Sequence, residues 1–242
     1  INLAVGPCIE NSNQVVNFIN NRFIERQLNS GCLLGHAAAV SLGENGLAMA
    51  GFSGMGKSTL ALHAMNHDLD FISNDRLMVK PENGQLMMYG VAKLPRINPG
   101  TVLSNPSLET IITDEEKEKF LSLPKDELWD LEHKYDAFID QCYGPGRFRL
   151  KADMKGLFLL NWQRDQSEVT IKEINPAERR DLLPAFSKET GLFFYADPNG
   201  SWPGADLDKY VEFLSQCQVF ELSGGVDFHT AAEAAADFLK SL

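Results

Sequence analysis

Residues 51–60 read GFSGMGKSTL and constrain the fold of this chain more than any other stretch. Gly51, Gly56, Lys57 and Ser58 satisfy the pattern G-x-x-x-x-G-K-[ST]. The apolar LAMAG precedes the pattern, and STLALHAMN, with the alanine and leucine content of a helix, follows it. Glycines let successive backbone N–H groups turn toward an anion, and the helix that follows adds its N-terminal amides. The stretch therefore predicts a strand–loop–helix unit that binds nucleotide phosphates.

Each part of this loop has an expected task. Lys57 is expected to reach the β- and γ-phosphates, and the Ser58 hydroxyl is placed to bind Mg²⁺. The predicted nucleotide-binding residues are Gly51, Ser53, Gly54, Met55, Gly56, Lys57, Ser58 and Thr59. ATP and Mg²⁺ are therefore the predicted ligands. The loop by itself does not show whether the phosphate goes to an acceptor, to water or to nothing.

Other motifs narrow the class of nucleotide-binding protein. The N-K-x-D base reader of Ras-type GTPases does not occur in the sequence. A long hydrophobic strand that ends in Asp-Glu, typical of mechanical ATPases, is not evident either. Small phosphotransferases are the class that this pattern favours.

An acidic group is expected close to the phosphates. The strand that follows the loop helix ends in FISND; it should lie beside the strand before the loop, and its end should return to the ligand side of the sheet. Asn74 and Asp75 would then lie near the γ-phosphate, with Asp75 as general base or as a Mg²⁺ ligand through water. A turn-forming Asn-Asp pair between two strands is the alternative.

Several basic side chains are further candidates. His36 stands at the start of the strand before the turn GENG, where a histidine is either structural or catalytic. His63 and His67 lie four apart on the loop helix, where a plain helix surface is favoured over a metal pair. Arg147 is the predicted clamp on the transferring phosphate or the substrate. The other candidates for that clamp are Arg149 and Arg96.

Charge and cysteine spacing limit the partners. The chain has 242 residues and a net charge of −11, from 22 basic and 33 acidic residues, which disfavours nucleic acid and anionic membranes. Its four cysteines are widely spaced, which suits reduced thiols. No apolar run approaches the roughly 20 residues of a membrane helix. The opening INLAVGPCIE does not read as a signal peptide, so we expect a cytoplasmic protein.

The remaining pattern predicts one domain over residues 1–242 with a charged helical insertion at 98–149. The insertion is interpreted as a lid or an acceptor pocket, with a solvated insertion of no moving role as the alternative. Outside it, we expect a strand at Asn2–Val5, a helix over SNQVVNFINNRFIERQL and a hairpin on each side of the loop helix. Strands are predicted at KGLFLLNW, EVTIKEI and QVFEL, with a helix opened by Pro176 and two helices near the C-terminus.

The stretch from His36 to Val79 resembles the catalytic domain of the HPr kinase/phosphorylase family. That family has a His-led strand, a glycine turn, a second strand, a loop G-x-S-G-x-G-K-S, a helix and a strand ending in Ala-Asp-Asp. Here the series reads HAAAVSLGENGLAMAGFSGMGKSTLALHAMNHDLDFISND. The pair Ser53 and Gly54 inside the loop, and the spacing to Asp75, make the resemblance more specific than a generic P-loop.

The resemblance implies an α/β P-loop kinase fold of the HPr kinase and phosphoenolpyruvate carboxykinase-like type. It also implies Mg-ATP-dependent phosphorylation of a hydroxyl, with Asp75 and His36 at the positions of the family's catalytic Asp and active-site His. Asn74 stands where the family has its first Asp, and VAKLPRINPG occupies the region of its Glu-x-Arg-Gly-Leu-Gly segment. The chain therefore looks like a paralogue with a different acceptor.

Three functions follow from these observations. A kinase for a small hydroxyl compound, of the sugar or polyol type, is favoured by the acidic surface and the compact insertion. A serine kinase for a small protein or peptide is the first alternative, and an ATP-sensing regulator without turnover is the second. The family often forms oligomers, so the resemblance also allows a homo-oligomer.

Overall fold

A mixed β-sheet forms the centre of the molecule, with helices on both of its faces. The computed structural model describes residues 1–124, 127–128, 131, 133–164, 167–190 and 205–242. The strands are β1 (Leu33–Gly35), β2 (Ala37–Leu42), β3 (Asn45–Gly51), β4 (Asp70–Ser73), β5 (Leu77–Glu82), β6 (Gln85–Gly90), β7 (Arg96–Ile97), β8 (Tyr135–Asp136), β9 (Lys151–Leu160), β10 (Thr170–Ile174) and β11 (Gln218–Ser223). The α-helices are α1 (Ser12–Asn29), α2 (Lys57–Met65), α3 (Pro99–Ser104), α4 (Asp114–Leu121), α5 (Ile139–Tyr143), α6 (Leu207–Leu214) and α7 (Phe228–Lys240). Two 3-10 helices span Pro106–Ile111 and Arg180–Ala185.

The strand order β1-β5-β6-β9-β3-β2-β4 places β9 at the centre of the sheet. On one side, β9 pairs in parallel with β3; on the other, its first half pairs with β6 and its second half with β11. β2 lies between β3 and β4 and is antiparallel to both, so β4 runs in the direction of β3 without pairing with it. We expected these two strands to be direct neighbours, and the intervening β2 corrects that expectation. The carboxyl ends of β3, β4, β9 and β11 nevertheless share one edge.

The sheet curls until β4 approaches β6. A side chain at Gly90 would place its Cβ 2.2 Å from the carbonyl oxygen of Ile72, so this close approach requires glycine. Residues 147–149 lie along the free edge of β4: the Phe71 N–H donates to the Arg147 carbonyl at 2.8 Å, and the Arg149 N–H donates to the Phe71 carbonyl at 2.7 Å. This curl brings segments that are distant in the sequence to the edge where β4 ends.

Apolar side chains fill three regions around the sheet. One face packs against α2 and α7, where Leu60 and Phe71 are fully buried. The other face packs against α6 and the second 3-10 helix, with Phe186 at its centre. Ile24 anchors α1 in a smaller cluster with Leu34. Each of these large side chains contributes about 1.5 to 3 kcal/mol through burial.

Side-chain caps define where several helices begin. Asp227 accepts from the N–H groups of His229 and Thr230 at the start of α7. Thr113 and Glu116 form a reciprocal capping box at the start of α4. Such caps satisfy N–H groups that have no partner within the helix, and each contributes about 1 kcal/mol.

Most predicted elements are confirmed, and two are wrong. The first helix, the two hairpins, the loop helix and the final helix occur as expected. Residues 2–5 form no strand and are exposed. Residues after Pro176 form turns and then the 3-10 helix Arg180–Ala185, because Pro184 inside the segment lacks the N–H that an α-helix needs.

The insertion predicted at 98–149 contains α3, α4, α5, a 3-10 helix and β8, and it docks on α2. The hydroxyls of Thr59 and Thr101 lie 2.7 Å apart, and the Asn66 side chain donates to Asn105 at 3.1 Å. Thr59 lies in the first turn of α2 and Asn66 directly follows its last residue, so the insertion contacts both ends of this helix. Residues 125, 126, 129, 130 and 132 of the predicted insertion lie outside the described residues. None of the helices in the described ranges is long and apolar enough to cross a membrane.

Candidate functional site

A cavity of about 400 Å³ lies beside the glycine-rich loop, which we define as residues 51–59. Its walls come from this loop, the end of β4, α1 and the segment after β6. The lining residues are Asn17, Asn20, His36, Ser53, Gly54, Lys57, Ser58, Asn74, Asp75, Arg76, Val91, Lys93, Leu94, Arg96 and Lys134. Small-molecule sites typically have volumes of about 300 to 1,000 Å³, so the cavity has a suitable size for a ligand.

Glycine geometry shapes the loop. Gly54 and Gly56 have φ angles of +80° and +84°, which L side chains rarely adopt. A Cβ at Gly56 would also lie 2.5 Å from the ring of Phe228. The loop therefore turns sharply into α2, and a tight turn of this kind can direct backbone N–H groups toward an anion.

The loop is supported by two aromatic residues that the sequence analysis did not single out. The indole Nε1 of Trp162 donates to the carbonyl of Met55 at 3.0 Å. The ring of Trp162 meets that of Phe228 edge-to-face, with centroids 5.3 Å apart. Trp162 lies just beyond β9, and Phe228 begins α7, so two distant elements hold the loop in place.

The predicted nucleotide-binding residues divide into two groups. Ser53, Gly54, Lys57 and Ser58 line the cavity. The other four residues do not line the cavity. The Gly51 carbonyl accepts a hydrogen bond from Lys57, and the Met55 carbonyl accepts one from Trp162. Gly56 lies against the Phe228 ring, and the Thr59 hydroxyl contacts that of Thr101.

Lys57 is buried, with 8% of its surface exposed. Its ammonium donates to the Gly51 carbonyl at 2.8 Å and to the Phe52 carbonyl at 3.4 Å. Burial lowers the pKa of Lys57 to about 8, although the nearby Asp75 carboxylate acts in the opposite direction. Lys188, which the sequence did not point to, lowers this pKa further. The Lys57 ammonium is thus mostly charged at neutral pH and begins to lose its proton just above it.

His36 and Asp75 form a pair at the cavity. Nε2 of His36 lies 3.2 Å from Oδ1 of Asp75, and Nε of Arg76 lies 3.5 Å from Oδ2. The hydrogen bond from His36 holds the pKa of Asp75 well below its usual range and outweighs the opposing effect of burial. About half of the Asp75 side chain is exposed, so a ligand in the cavity can reach an ionised carboxylate.

Oxygen atoms suited to a divalent cation also meet here. The side-chain Oδ1 of Asn74 is buried and accepts no hydrogen bond from the described residues. Ser58 and Asp75 line the same cavity. No group of three or more His, Cys, Asp or Glu in the described part of the chain could hold a metal alone. Mg²⁺ commonly binds through one or two protein oxygens plus substrate phosphates, so these residues fit Mg²⁺ that arrives with a nucleotide.

The predicted clamp Arg147 is not in the site. Its Nε donates to Oδ1 of Asp70 at 2.8 Å, and Nε of Arg149 donates to Oδ2 at 2.7 Å. Asp70 begins β4, whereas Asp75 follows the opposite end, and a strand of this length separates its ends by about 10 Å. Pairing of residues 147–149 with Phe71 directs both arginines to Asp70. Arg96 lines the cavity instead.

Of the two histidines expected on the loop helix, only His63 lies in α2, because the helix ends at Met65 and His67 lies in the turn that follows. His63 stacks on Phe228 with ring centroids 5.7 Å apart, and its Nε2 lies 3.2 Å from the hydroxyl of Ser104. Burial lowers the pKa of His63, which favours the neutral ring. Neither His63 nor His67 lines the cavity.

Comparisons with known proteins leave the family open. No known family model matches the chain, and no curated protein matches it in sequence. Among solved structures, the chain is similar to the Hpr(Ser) kinase/phosphatase from Coxiella burnetii, with 11% sequence identity and a TM-score of 0.41. That similarity covers 86% of this chain and 88% of the other. A likeness of this degree assigns neither a family nor an activity, so membership of the HPr kinase family stays a prediction.

Proposed function

We propose that the chain is an ATP-dependent kinase that transfers the γ-phosphate to a hydroxyl of a small molecule. One observation carries this proposal: an ionised carboxylate, Asp75, held by His36, shares a cavity with Lys57 and Ser58 of the glycine-rich loop. A phosphate donor site and a group able to receive a proton therefore face the same space.

The loop supplies the donor side. Backbone N–H groups around Gly54 and at the start of α2 would bind the phosphates, with Lys57 at the β- and γ-positions. Ser58 and Asp75 are the residues that would hold Mg²⁺, whose charge offsets that of the transferring phosphate. The low pKa of Asp75 and the exposed half of its side chain support this assignment.

The transfer forms one bond and breaks one. The acceptor oxygen bonds to the γ-phosphorus as the bond from that phosphorus to the β–γ bridging oxygen breaks, and ADP leaves. The acceptor proton passes to Asp75 and then to solvent. Since the pKa of Asp75 is low, the carboxylate is a weak base, and its main effect is to orient the hydroxyl. A loose transition state needs no strong base, because the proton leaves late.

A compact acceptor suits the walls of this cavity. Besides the loop, α1 contributes Asn17 and Asn20, and the segment after β6 contributes Val91 and Leu94. Asn20 is itself buried, so α1 forms a packed wall of the cavity. These walls and the volume of about 400 Å³ favour a small hydroxyl compound over a protein segment.

The test combines phosphate transfer with nucleotide binding. The protein is incubated with Mg-ATP labelled at the γ-phosphate and a panel of hydroxyl compounds, and products are identified by mass spectrometry. Asp75→Asn should bind a non-hydrolysable ATP analogue normally in the absence of Mg²⁺ and lose at least about 100-fold in transfer. Lys57→Ala should lose both binding of the ATP analogue and phosphate transfer. Transfer that survives Asp75→Asn would overturn the proposal, and nucleotide binding without transfer to any acceptor would favour the ATP-sensing alternative.

A further inference from the structure

The cavity is strongly cationic, although the chain is acidic. Among the described residues that line it, five side chains are cationic and one, Asp75, is acidic, whereas the whole chain carries a net charge of −11. Under the proposed function, Lys57 binds the phosphates of the nucleotide. Three others, Lys93, Arg96 and Lys134, come from outside the loop and outside the end of β4. We refer to these three residues as the ribbon cluster.

A two-stranded ribbon holds this cluster together. β7 and β8 pair antiparallel, with Arg96 directly opposite Asp136. Lys134 precedes Asp136 by two residues, so strand alternation places it on the same face of the ribbon as Arg96. Ile97 is buried on the other face, and this anchors the ribbon. Lys93 stands three residues before Arg96 in the segment that leads from β6.

Within the described part of the chain, the charge of this cluster is only weakly compensated. Nε of Arg96 lies 3.5 Å from Asp136, and both side chains are more than half exposed. Exposed ion pairs of this kind contribute about 0 to 1 kcal/mol, so Arg96 can exchange Asp136 for a ligand at little cost. The fifth cation of the cavity, Arg76, already faces Asp75 and donates to Asn21. The ribbon cluster is therefore the part of the cavity whose positive charge is available to a second anion.

We propose that the acceptor carries an anionic group of its own, a phosphate or a carboxylate, which the ribbon cluster binds. This inference rests on the proposed function, since the nucleotide occupies the loop side of the same cavity. The planar guanidinium of Arg96 can bind either anion through two parallel hydrogen bonds. Held at this end, the acceptor presents its hydroxyl toward Asp75 and the γ-phosphate. The substrate class is thus a small hydroxyl compound with a phosphate or carboxylate.

In the experiment, the nucleotide site at the glycine-rich loop is occupied first, and anion binding at the ribbon cluster is then measured. The protein is saturated with Mg²⁺ and a non-hydrolysable ATP analogue, so that the γ-phosphate position is occupied. Binding of inorganic phosphate and of lactate to this complex is then measured by calorimetry or by NMR shifts. We expect millimolar binding of at least one of the two anions and a loss of about tenfold in Arg96→Gln. Preference for phosphate or for lactate identifies which group the acceptor carries.

A matched variant distinguishes anion binding at the ribbon cluster from a general effect of the protein's charge. Lys172→Gln removes the same charge from an exposed position on β10, outside the cavity, and should change anion affinity by less than twofold. Equal losses in Lys172→Gln and Arg96→Gln would overturn the inference. So would an analogue-loaded protein that binds neither anion. Failure of the ATP analogue itself to bind would instead contradict the proposed function, so the two failures are distinguishable.

Discussion

Nε2 of His36 lies 3.2 Å from Oδ1 of Asp75 because β2 and β4 are antiparallel neighbours. His36 precedes β2, Asp75 follows β4, and the register that pairs Ala39 with Ser73 brings them face to face. The contact therefore depends on strand pairing between segments on either side of the glycine-rich loop. Its effect is to hold Asp75 ionised and to fix its orientation at the cavity.

Replacing His36 should slow transfer and change its pH dependence. His36→Ala removes the hydrogen bond that lowers the pKa of Asp75, so that pKa should rise and the carboxylate should lose its orientation. We expect kcat to fall about 10- to 100-fold, with little change in affinity for the ATP analogue. The variant should also lose further activity between about pH 7 and about pH 5, where Asp75 of the original protein stays ionised. His36→Asn, whose amide can still donate, should keep a flatter profile, and identical profiles for the two variants would contradict this role.

Nucleotide affinity should weaken as Lys57 loses its proton. Burial lowers the pKa of Lys57 to about 8, so the ammonium is mostly charged at neutral pH and mostly neutral above about pH 9. Because phosphates bind the charged form, the dissociation constant of the ATP analogue should rise about tenfold between about pH 7 and about pH 9. Calorimetry at both pH values measures it. Lys57→Ala should bind weakly at both and show no such rise, and an equal rise in that variant would assign the effect to another group.

Loss of the hydrogen bond from the Trp162 indole should lower nucleotide affinity with little effect on the stability of the core. Trp162→Phe keeps a ring against Phe228 but removes the hydrogen bond to the Met55 carbonyl. A net hydrogen bond contributes about 0.5 to 1.5 kcal/mol, so we expect nucleotide affinity to fall about 2- to 12-fold. The melting temperature should change little by comparison with Trp162→Ala, which opens a cavity and costs about 3 to 5 kcal/mol. Unchanged nucleotide affinity in Trp162→Phe would show that the loop does not need this bond.

Gly56 should be more sensitive to substitution than another glycine of similar backbone conformation. Gly56 and Gly84 have φ angles of +84° and +80°, but a Cβ at Gly84 meets nothing within 4 Å, whereas at Gly56 it meets Phe228. Gly84→Ala should cost about 1 to 2 kcal/mol from the backbone alone. Gly56→Ala should cost a further 1 kcal/mol or so, up to about 3, from overpacking. Urea unfolding measures both free energies of unfolding, and equal losses would contradict the role of Phe228.

Arg147 should affect stability and leave transfer unchanged. Its guanidinium binds Asp70 and the Leu69 carbonyl, away from the cavity. Arg147→Ala should lower the free energy of unfolding by about 1 to 2 kcal/mol, because the partly buried Asp70 keeps only Arg149. The more exposed Arg149 is the matched control, and its removal should lower the free energy of unfolding less, because exposed ion pairs contribute little. A large fall in kcat for Arg147→Ala would restore this residue as a clamp.

Local sequence patterns identified the elements that carry their own signal. The loop from Gly51 to Thr59, the hairpins around it and the final alanine-rich helix depend on spacing and turn residues that lie close together in the chain. The ending FISND also predicted that Asp75 lies at the edge of the sheet where the cavity is found, because strand direction follows from the loop–helix–strand order. The structure places Arg147 at Asp70 instead, because a charge ahead of a strand does not indicate which end of a neighbouring strand it will meet.

The sequence by itself determined a strand–loop–helix unit suited to phosphate binding, because backbone conformation there depends on Gly54, Gly56 and their neighbours. Only the tertiary structure decided what surrounds it. The curl of the sheet and the packing of α1 brought Asn20 and Arg76 to the cavity, although no motif marks them. These contacts join residues far apart in the chain, and they form because apolar faces are buried between helices and sheet. Local sequence propensity does not specify which distant surfaces pack together.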